Sequence, residues 1–187
     1  MRLRNNNQTA VVCIFTDGAS SDGDLVKAMK PLERLPCWVV IKLATDDDNV
    51  VNYWNSVDGE LEIDMDVLDD YQSEAKEIYE HNPWLCYGLP LHRLREFGFK
   101  NKELDLIDEA PLSVNQMMWV VSKLLNVKVS DIPHPEAMYQ EFKLFMKERL
   151  PELSTTYNPV TNKKTDWVDY FKLKRTYGKR ESKCSIM

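Results

Sequence analysis

Three hydrophobic runs organise the N-terminal part of the chain. Residues 10–16 and 37–44 are continuous apolar runs rich in β-formers, which is typical of strands buried on both faces of a parallel sheet. Residues 61–68 alternate apolar and acidic side chains, which predicts a third, one-sided strand near a sheet edge. A helical pattern follows each run. This order predicts an α/β fold: a partial doubly wound, Rossmann-like parallel sheet with flanking helices.

The pattern becomes helical beyond Trp84, over 91–97, 113–125 and 135–150. We interpret these segments as a helical C-terminal extension of the sheet domain. Residues after 150 show little periodicity, which favours a flexible arm. The predicted organisation is a flexible N-terminus (1–9), an α/β domain with a helical extension (10–150) and a flexible basic tail (151–187).

Charge is unevenly distributed along the chain. The whole chain carries 24 basic and 30 acidic residues, a net charge of −6, yet basic residues dominate after Tyr170. An acidic body argues against nucleic-acid binding, which needs a basic surface. A basic tail on an acidic body favours an anionic membrane surface as its partner. The residues predicted to bind that surface are Lys172, Lys174, Arg175, Lys179, Arg180 and Lys183.

The four residues 184–187 read Cys-Ser-Ile-Met, which is the pattern of a C-a-a-X prenylation box. A terminal methionine favours a farnesyl group on Cys184. One lipid binds a membrane only marginally, and a basic segment is the usual second signal. We therefore expect a eukaryotic, cytoplasmic protein that is lipid-anchored at the membrane periphery. The alternative is a disordered basic tail that ends in these residues by coincidence.

Acidic side chains follow the first two predicted strands. Asp17 comes after the first strand and Asp46, Asp47 and Asp48 come after the second. In open parallel sheets ligands bind at these carboxyl ends, and carboxylate oxygens suit Mg²⁺ or Ca²⁺. The alternative is that Asp17-Gly18 forms a turn and that the other three carboxylates cap the next helix.

The segment Ile-Phe-Thr-Asp-Gly at 14–18, followed by Ser-Ser-Asp-Gly at 20–23, a helix and a second apolar strand, resembles the von Willebrand factor type A (vWA) family. The resemblance implies a doubly wound α/β sheet, a role for Asp17 in holding Mg²⁺, and an acidic residue of a protein partner on the open position of the metal. Our first hypothesis places a partner face at the acidic strand ends around Asp17 and Asp46, with or without a divalent cation. The predicted face contains Ser20, Ser21, Asp22, Asp46, Asp47 and Asp48.

The chain departs from the family pattern at one point. The main metal motif of the family, Asp-x-Ser-x-Ser, lies upstream of Thr-Asp-Gly, and it is absent here. The chain therefore resembles the C-terminal half of such a domain, so a complete metal site is not expected from this polypeptide alone. The first strand would then have an unpaired hydrophobic edge, open to another chain or to a second copy.

Three functional hypotheses follow. The first is a non-enzymatic protein-interaction module that is lipid-tethered to a membrane. The second is a metal-dependent hydrolase or phosphotransfer enzyme that uses the same carboxylates, against which stands the absence of nucleophile-elbow and phosphate-loop motifs. The third is an inactive half-domain that retains only membrane targeting. His92, Arg93 and Arg95 are predicted to be surface residues of an amphipathic helix.

Overall fold

The computed structural model describes residues 2–45, 47–99 and 101–178, without the side chain of Arg2. The chain divides into two units. The sheet unit combines the residues up to Glu74 with Leu89–Asp105, and the hairpin unit combines Ala75–Gly88 with the residues from Leu106 onward. The chain therefore leaves the sheet unit, returns to it and leaves it again.

Strands and helices alternate in the sheet unit, as the sequence predicts. Helix α4 begins in this unit and ends in the hairpin unit. The elements are α1 (Arg2–Asn5), β1 (Ala10–Thr16), α2 (Leu25–Met29), β2 (Cys37–Leu43), α3 (Asp48–Glu60), β3 (Met65–Leu68), α4 (Tyr71–His81), α5 (Leu89–Glu96) and α6 (Lys102–Asp105).

The three strands form one parallel sheet in the order β1-β2-β3. The register runs from Ala10 opposite Cys37 to Thr16 opposite Leu43 between β1 and β2, and β3 joins the other side of β2. The prediction of a mixed α/β fold with a parallel sheet is confirmed. Among the described strands of this sheet, only β2 has a neighbour on each side, and its apolar run is almost wholly buried.

The two faces of the sheet are both covered, but by different elements. On one face Val39 and Ile41 pack with Trp54 and Val57 of α3, and every side chain of this group is nearly or fully buried. On the other face Trp38, Val40 and Leu68 form a smaller apolar cluster, and α5 contacts β2 and β3. The sheet unit is therefore layered as helices, sheet and helix.

Two predictions about the strands are wrong. β1 is not a strand buried on both faces: Ala10, Val12 and Ile14 pack on the core beneath α3, whereas the alternate residues on its other face are exposed. β3 is not one-sided: Met65, Asp66 and Leu68 are all buried. The alternating acid at position 66 belongs to the interior because a distant arginine neutralises it, as described below.

The hairpin unit is mostly helical. α7 begins with a capping box in which Ser113 and Gln116 satisfy each other's backbone N–H groups, and it ends at Asn126 in the left-handed conformation. The helices predicted over 113–125 and 135–150 are present. The elements are α7 (Val114–Leu125), α8 (Tyr139–Arg149), β4 (Thr156–Asn158), β5 (Lys163–Thr165) and α9 (Tyr170–Tyr177).

The ends of the chain have more structure than the sequence predicts. Residues 156–165 form an antiparallel hairpin, and α9 follows with Leu173 fully buried and the Tyr177 hydroxyl donating to the carbonyl of Leu112, at 2.8 Å. Strands of three polar residues have no hydrophobic alternation, so the sequence pattern could not reveal them. Near the N-terminus, α1 stands where a flexible segment was expected.

Candidate functional site

The loops after β1 and β2 lie side by side in the structure. Because the two strands are parallel and in register, their carboxyl ends meet at one edge of the sheet. The N–H of Ala44 donates to the carbonyl of Thr16, at 2.8 Å, and joins the two loops at their start. The predicted face residues that follow these strands are therefore neighbours in space.

The Asp17-Gly18 turn is fixed by its surroundings, and Asp17 itself is exposed. The indole N–H of Trp54 donates to the carbonyl of Gly18, at 3.1 Å, and the Thr16 hydroxyl donates to the same oxygen, at 3.0 Å. Trp54 is buried, so the turn is anchored to the core of the sheet unit. This anchoring presents the Asp17 carboxylate outward on a rigid support.

The other members of the predicted face have varied roles. Asp47 is the N-cap of α3, since its carboxylate accepts from the backbone N–H of Asn49 at 2.9 Å, as the capping alternative foresaw for this residue. Ser20 donates through its hydroxyl to the carbonyl of Asp22, at 3.1 Å. Ser21, Asp22 and Asp48 are exposed. Asp46 lies outside the described residues.

A divalent cation needs several oxygen ligands converging on one point. Among the described residues, no group of three acidic, histidine or cysteine ligands that could hold an ion includes Asp17. The described residues around Asp17 thus do not by themselves form a complete metal site. Mg²⁺ at Asp17 stays a prediction.

The sheet unit holds a second polar arrangement, which the sequence analysis missed. Arg95 of α5 is 3% exposed, and its guanidinium faces two carboxylates. Both oxygens of Asp66 accept from it, at 3.0 and 3.3 Å, and Glu74 accepts at 2.6 Å. Glu74 also accepts from the backbone N–H of Asp69, at 3.0 Å. One buried cation therefore fastens α5 to β3 and to the start of α4.

A second cluster lies one residue further along α5. Buried Glu96 pairs with Lys42 of β2 and with Arg93, and the Nε2 atom of His92 lies 3.3 Å from its carboxylate. Burial opposes ionisation of Glu96, but hydrogen bonds from Lys42 and Arg93 outweigh it and lower the pKa of this carboxyl. His92 and Arg95 are therefore not surface residues as predicted, whereas Arg93 is exposed.

Burial lowers the pKa of His92 to about 4, helped by the charges of Arg95, Lys42 and Arg93 and opposed by Glu96. An unfolded histidine titrates near ~6.5, so between these values the unfolded chain binds a proton that the folded chain does not. We expect the free energy of unfolding to fall by about 2–3 kcal/mol as the pH drops from neutral to 4, through this group alone. Urea denaturation at several pH values measures it.

His92→Gln removes the titrating group and keeps a polar side chain at the same place. The pH dependence of this variant should be shallower than that of the parent protein by the amount just given. His134→Gln, at a partly exposed position of the hairpin unit, is the matched control for the loss of a histidine side chain. Equal pH dependence of the unfolding free energy in the parent protein and in His92→Gln would contradict the assignment of this effect to His92.

The hairpin unit contains a cavity of about 780 Å³. Tyr79 and Lys172 stand in its wall, and the ammonium of Lys172 donates to the Tyr79 hydroxyl, at 3.0 Å, and lies 3.4 Å from Asp169. Burial opposes the charge on Lys172, but these two partners outweigh it and raise its pKa. Lys172 is thus already paired within the unit, which weakens its predicted membrane role.

The other predicted membrane-binding residues divide into two sets. Lys174 and Arg175 are exposed on α9, on the same helical face as Phe171, which is 83% exposed. This face combines one aromatic ring with two cations. Lys179, Arg180, Lys183 and the predicted lipidation site Cys184 lie outside the described residues.

Comparisons of the chain with protein-family models, curated proteins and solved structures find no match. In the part of the chain that the structure describes, none of the helices has the length and apolar character needed to cross a bilayer. The site must therefore be interpreted from its own geometry.

Proposed function

We propose that this chain is a non-enzymatic protein-interaction module with a vWA-like sheet, held at the cytoplasmic face of a membrane by a farnesyl group on Cys184 and by basic residues. The observation that carries the interaction role is the pair of adjacent loops after β1 and β2. They present Asp17, Ser21, Asp22 and Asp48 on a support that is fixed to the core through Trp54. Rigid loops on a scaffold are a usual place for recognition.

The partner of this face is a protein with an acidic residue, which would complete the coordination of Mg²⁺ together with Asp17. The resemblance to vWA domains supports this choice of partner. The described residues around Asp17 provide too few ligands for a metal ion, which agrees with a ligand supplied by the partner. A metal ion that needs a ligand from the partner binds weakly when the partner is absent. Metal and partner should therefore bind together, each strengthening the other.

The membrane tether is supported by the exposed face of α9. Phe171, Lys174 and Arg175 offer an aromatic ring and two cations, a combination suited to the interface of an anionic membrane. The chain continues from this helix into Lys179 and Arg180 and reaches Cys184. A lipid on Cys184 and the cations before it supply the two signals that stable anchoring requires.

One vesicle experiment tests both halves of the proposal. Farnesylated protein is mixed with phosphatidylserine-containing vesicles, and the bound fraction is measured by flotation. Cys184→Ser should abolish stable binding. Lys174→Gln/Arg175→Gln should weaken it by about 2 kcal/mol, roughly 30-fold, since each cation near the surface contributes ~1 kcal/mol. Lys163→Gln/Lys164→Gln removes two exposed cations from β5 and should change binding far less.

The bound protein is then offered a labelled acidic peptide with and without Mg²⁺. The vesicles should retain the peptide only with the metal, and Asp17→Asn should lose it while Glu136→Gln, at an exposed site elsewhere, keeps it. Membrane binding that survives Cys184→Ser would refute the tether. Peptide retention that ignores both Mg²⁺ and Asp17→Asn would refute the recognition face, and metal-dependent phosphatase activity would favour the enzyme hypothesis instead.

A further inference from the structure

β1 is an edge strand with hydrogen-bonding groups directed away from its only described neighbour. The N–H of Ala10 donates to the carbonyl of Pro36, at 2.9 Å, and the carbonyl of Thr16 accepts from Ala44, at 2.8 Å. Even-numbered residues of β1 therefore face β2. Because successive residues of a strand direct these groups to opposite sides, the N–H and C=O groups of the odd-numbered residues point to the open edge.

Those odd-numbered residues are apolar and exposed. Val11 is 43% exposed, Phe15 is 67% exposed, and Cys13 between them is an exposed thiol in no disulfide, which donates to the carbonyl of Glu96 at 3.6 Å. Edge strands usually carry a lysine, a proline or a bulge that blocks further pairing. β1, with the sequence Ala-Val-Val-Cys-Ile-Phe-Thr, has no charge and no proline over its seven residues. β1 therefore has the features of an edge strand that pairs with a strand of another chain.

The turn after α5 enlarges this apolar surface. Gly98 has a φ of +70°, and a Cβ added to it would lie 2.3 Å from a methyl carbon of Val11, so only glycine allows the turn to pack so closely on β1. The turn carries Phe97 and Phe99, which are 73% and 49% exposed. An open backbone edge therefore lies beside a turn that carries further exposed apolar side chains.

We propose that β1 pairs with β1 of a second copy, antiparallel and centred on Cys13, so that two sheet units share a six-stranded sheet. In this register each Val11 lies opposite Phe15 of the other copy, an aromatic and β-branched pair that stabilises antiparallel strands. No other register centred within β1 pairs all seven of its residues. The proposal does not depend on the metal, the acidic partner or the lipid.

Charge at the two ends of the strand agrees with an antiparallel arrangement. Arg4 and Arg34, which contact each other through the Arg34 carbonyl, are exposed near the start of β1. Asp17 and Asp22 are exposed beyond its end. An antiparallel second copy brings the basic end of each strand to the acidic end of the other, whereas a parallel copy would place like charges together.

The central cysteine provides a direct test of the register. In the proposed dimer Cys13 faces Cys13 of the other copy with Cα atoms ~5.5 Å apart, a separation that a disulfide can bridge. The full chain with Cys184→Ser should form a covalent dimer when oxidised with diamide at micromolar concentration. Adding Cys13→Ser should abolish it, since Cys37 and Cys86 are buried. In that background Val11→Cys/Phe15→Cys should restore it, while Val11→Cys alone should not.

Sedimentation equilibrium tests the association without cross-linking. The Cys184→Ser protein should have twice the mass of one chain, and Phe15→Glu should weaken the dimer at least tenfold, whereas Leu144→Glu, at an exposed apolar site of α8, should not. Cys13→Pro removes the outward N–H together with the thiol that donates to the carbonyl of Glu96, and it leaves the hydrogen bonds between β1 and β2 in place, so it should give a folded monomer by circular dichroism. A parent protein that stays monomeric, or a dimer that tolerates both Phe15→Glu and Cys13→Pro, overturns the proposal.

Discussion

Replacing Arg95 by methionine should lower the free energy of unfolding by about 3–5 kcal/mol, because the change leaves two buried carboxylates without their cation. Asp66 and Glu74 are 8% and 2% exposed, and Arg95 donates to both. Methionine fills much of the space of arginine but donates no hydrogen bond. Urea denaturation at neutral pH gives the difference in unfolding free energy.

The control for this variant is two residues away. Arg93→Met removes a guanidinium that is 55% exposed and should lose less than about 1 kcal/mol, as exposed ion pairs usually do. Adding Asp66→Asn and Glu74→Gln to Arg95→Met should recover part of the loss, since the two carboxylate charges that Arg95 neutralises are then removed as well. Equal losses for Arg95→Met and Arg93→Met would contradict the buried role of Arg95.

The second large effect is expected in the hairpin unit, at Asn82. This side chain is fully buried, and its amide nitrogen donates to the carbonyls of Ile107 and Ala110, at 2.8 and 2.9 Å. Its oxygen accepts from the N–H of Leu112, at 3.0 Å. Asn82→Ala removes the partner of these three backbone groups and should cost at least about 3 kcal/mol of unfolding free energy, at ~1–3 kcal/mol for each group.

Thermal and urea unfolding of Asn82→Ala should be compared with those of Asn115→Ala. Asn115 is exposed on α7, so the same change of side chain there should alter the unfolding free energy by less than about 0.5 kcal/mol. If Asn82→Ala is no worse than Asn115→Ala, then Asn82 does not hold the segment before α7 in place.

The parts of this fold that depend on the local pattern of apolar and polar residues could be predicted from the sequence. The apolar runs at 10–16 and 37–43 form strands, and the polar turn at Asp17-Gly18 ends the first of them. The capping role of Asp47 was also among the alternatives, because an aspartate just before a helix satisfies its free N–H groups. These features depend on neighbours a few residues apart, which a single sequence displays.

Features that depend on distant partners were not predictable. Asp66 looked like the polar face of an edge strand, and its contact with Arg95, 29 residues away, helps to make an interior position tolerable. Asn82 stands before Pro83, a pattern that indicates the end of a helix and nothing more, yet its partners lie 25 to 30 residues further on. The sequence around a polar residue does not indicate which distant group forms a hydrogen bond or an ion pair with it.

The order of the chain has a consequence for its synthesis. A ribosome releases the strands of the sheet unit first, but α5, with Arg95, emerges after a stretch that belongs to the hairpin unit. Until then the Arg95 guanidinium is absent from beside the Asp66 carboxylate, and the face of the sheet that α5 contacts stays open. The sheet unit should therefore mature late, and a nascent chain stalled before α5 should need a chaperone to stay soluble.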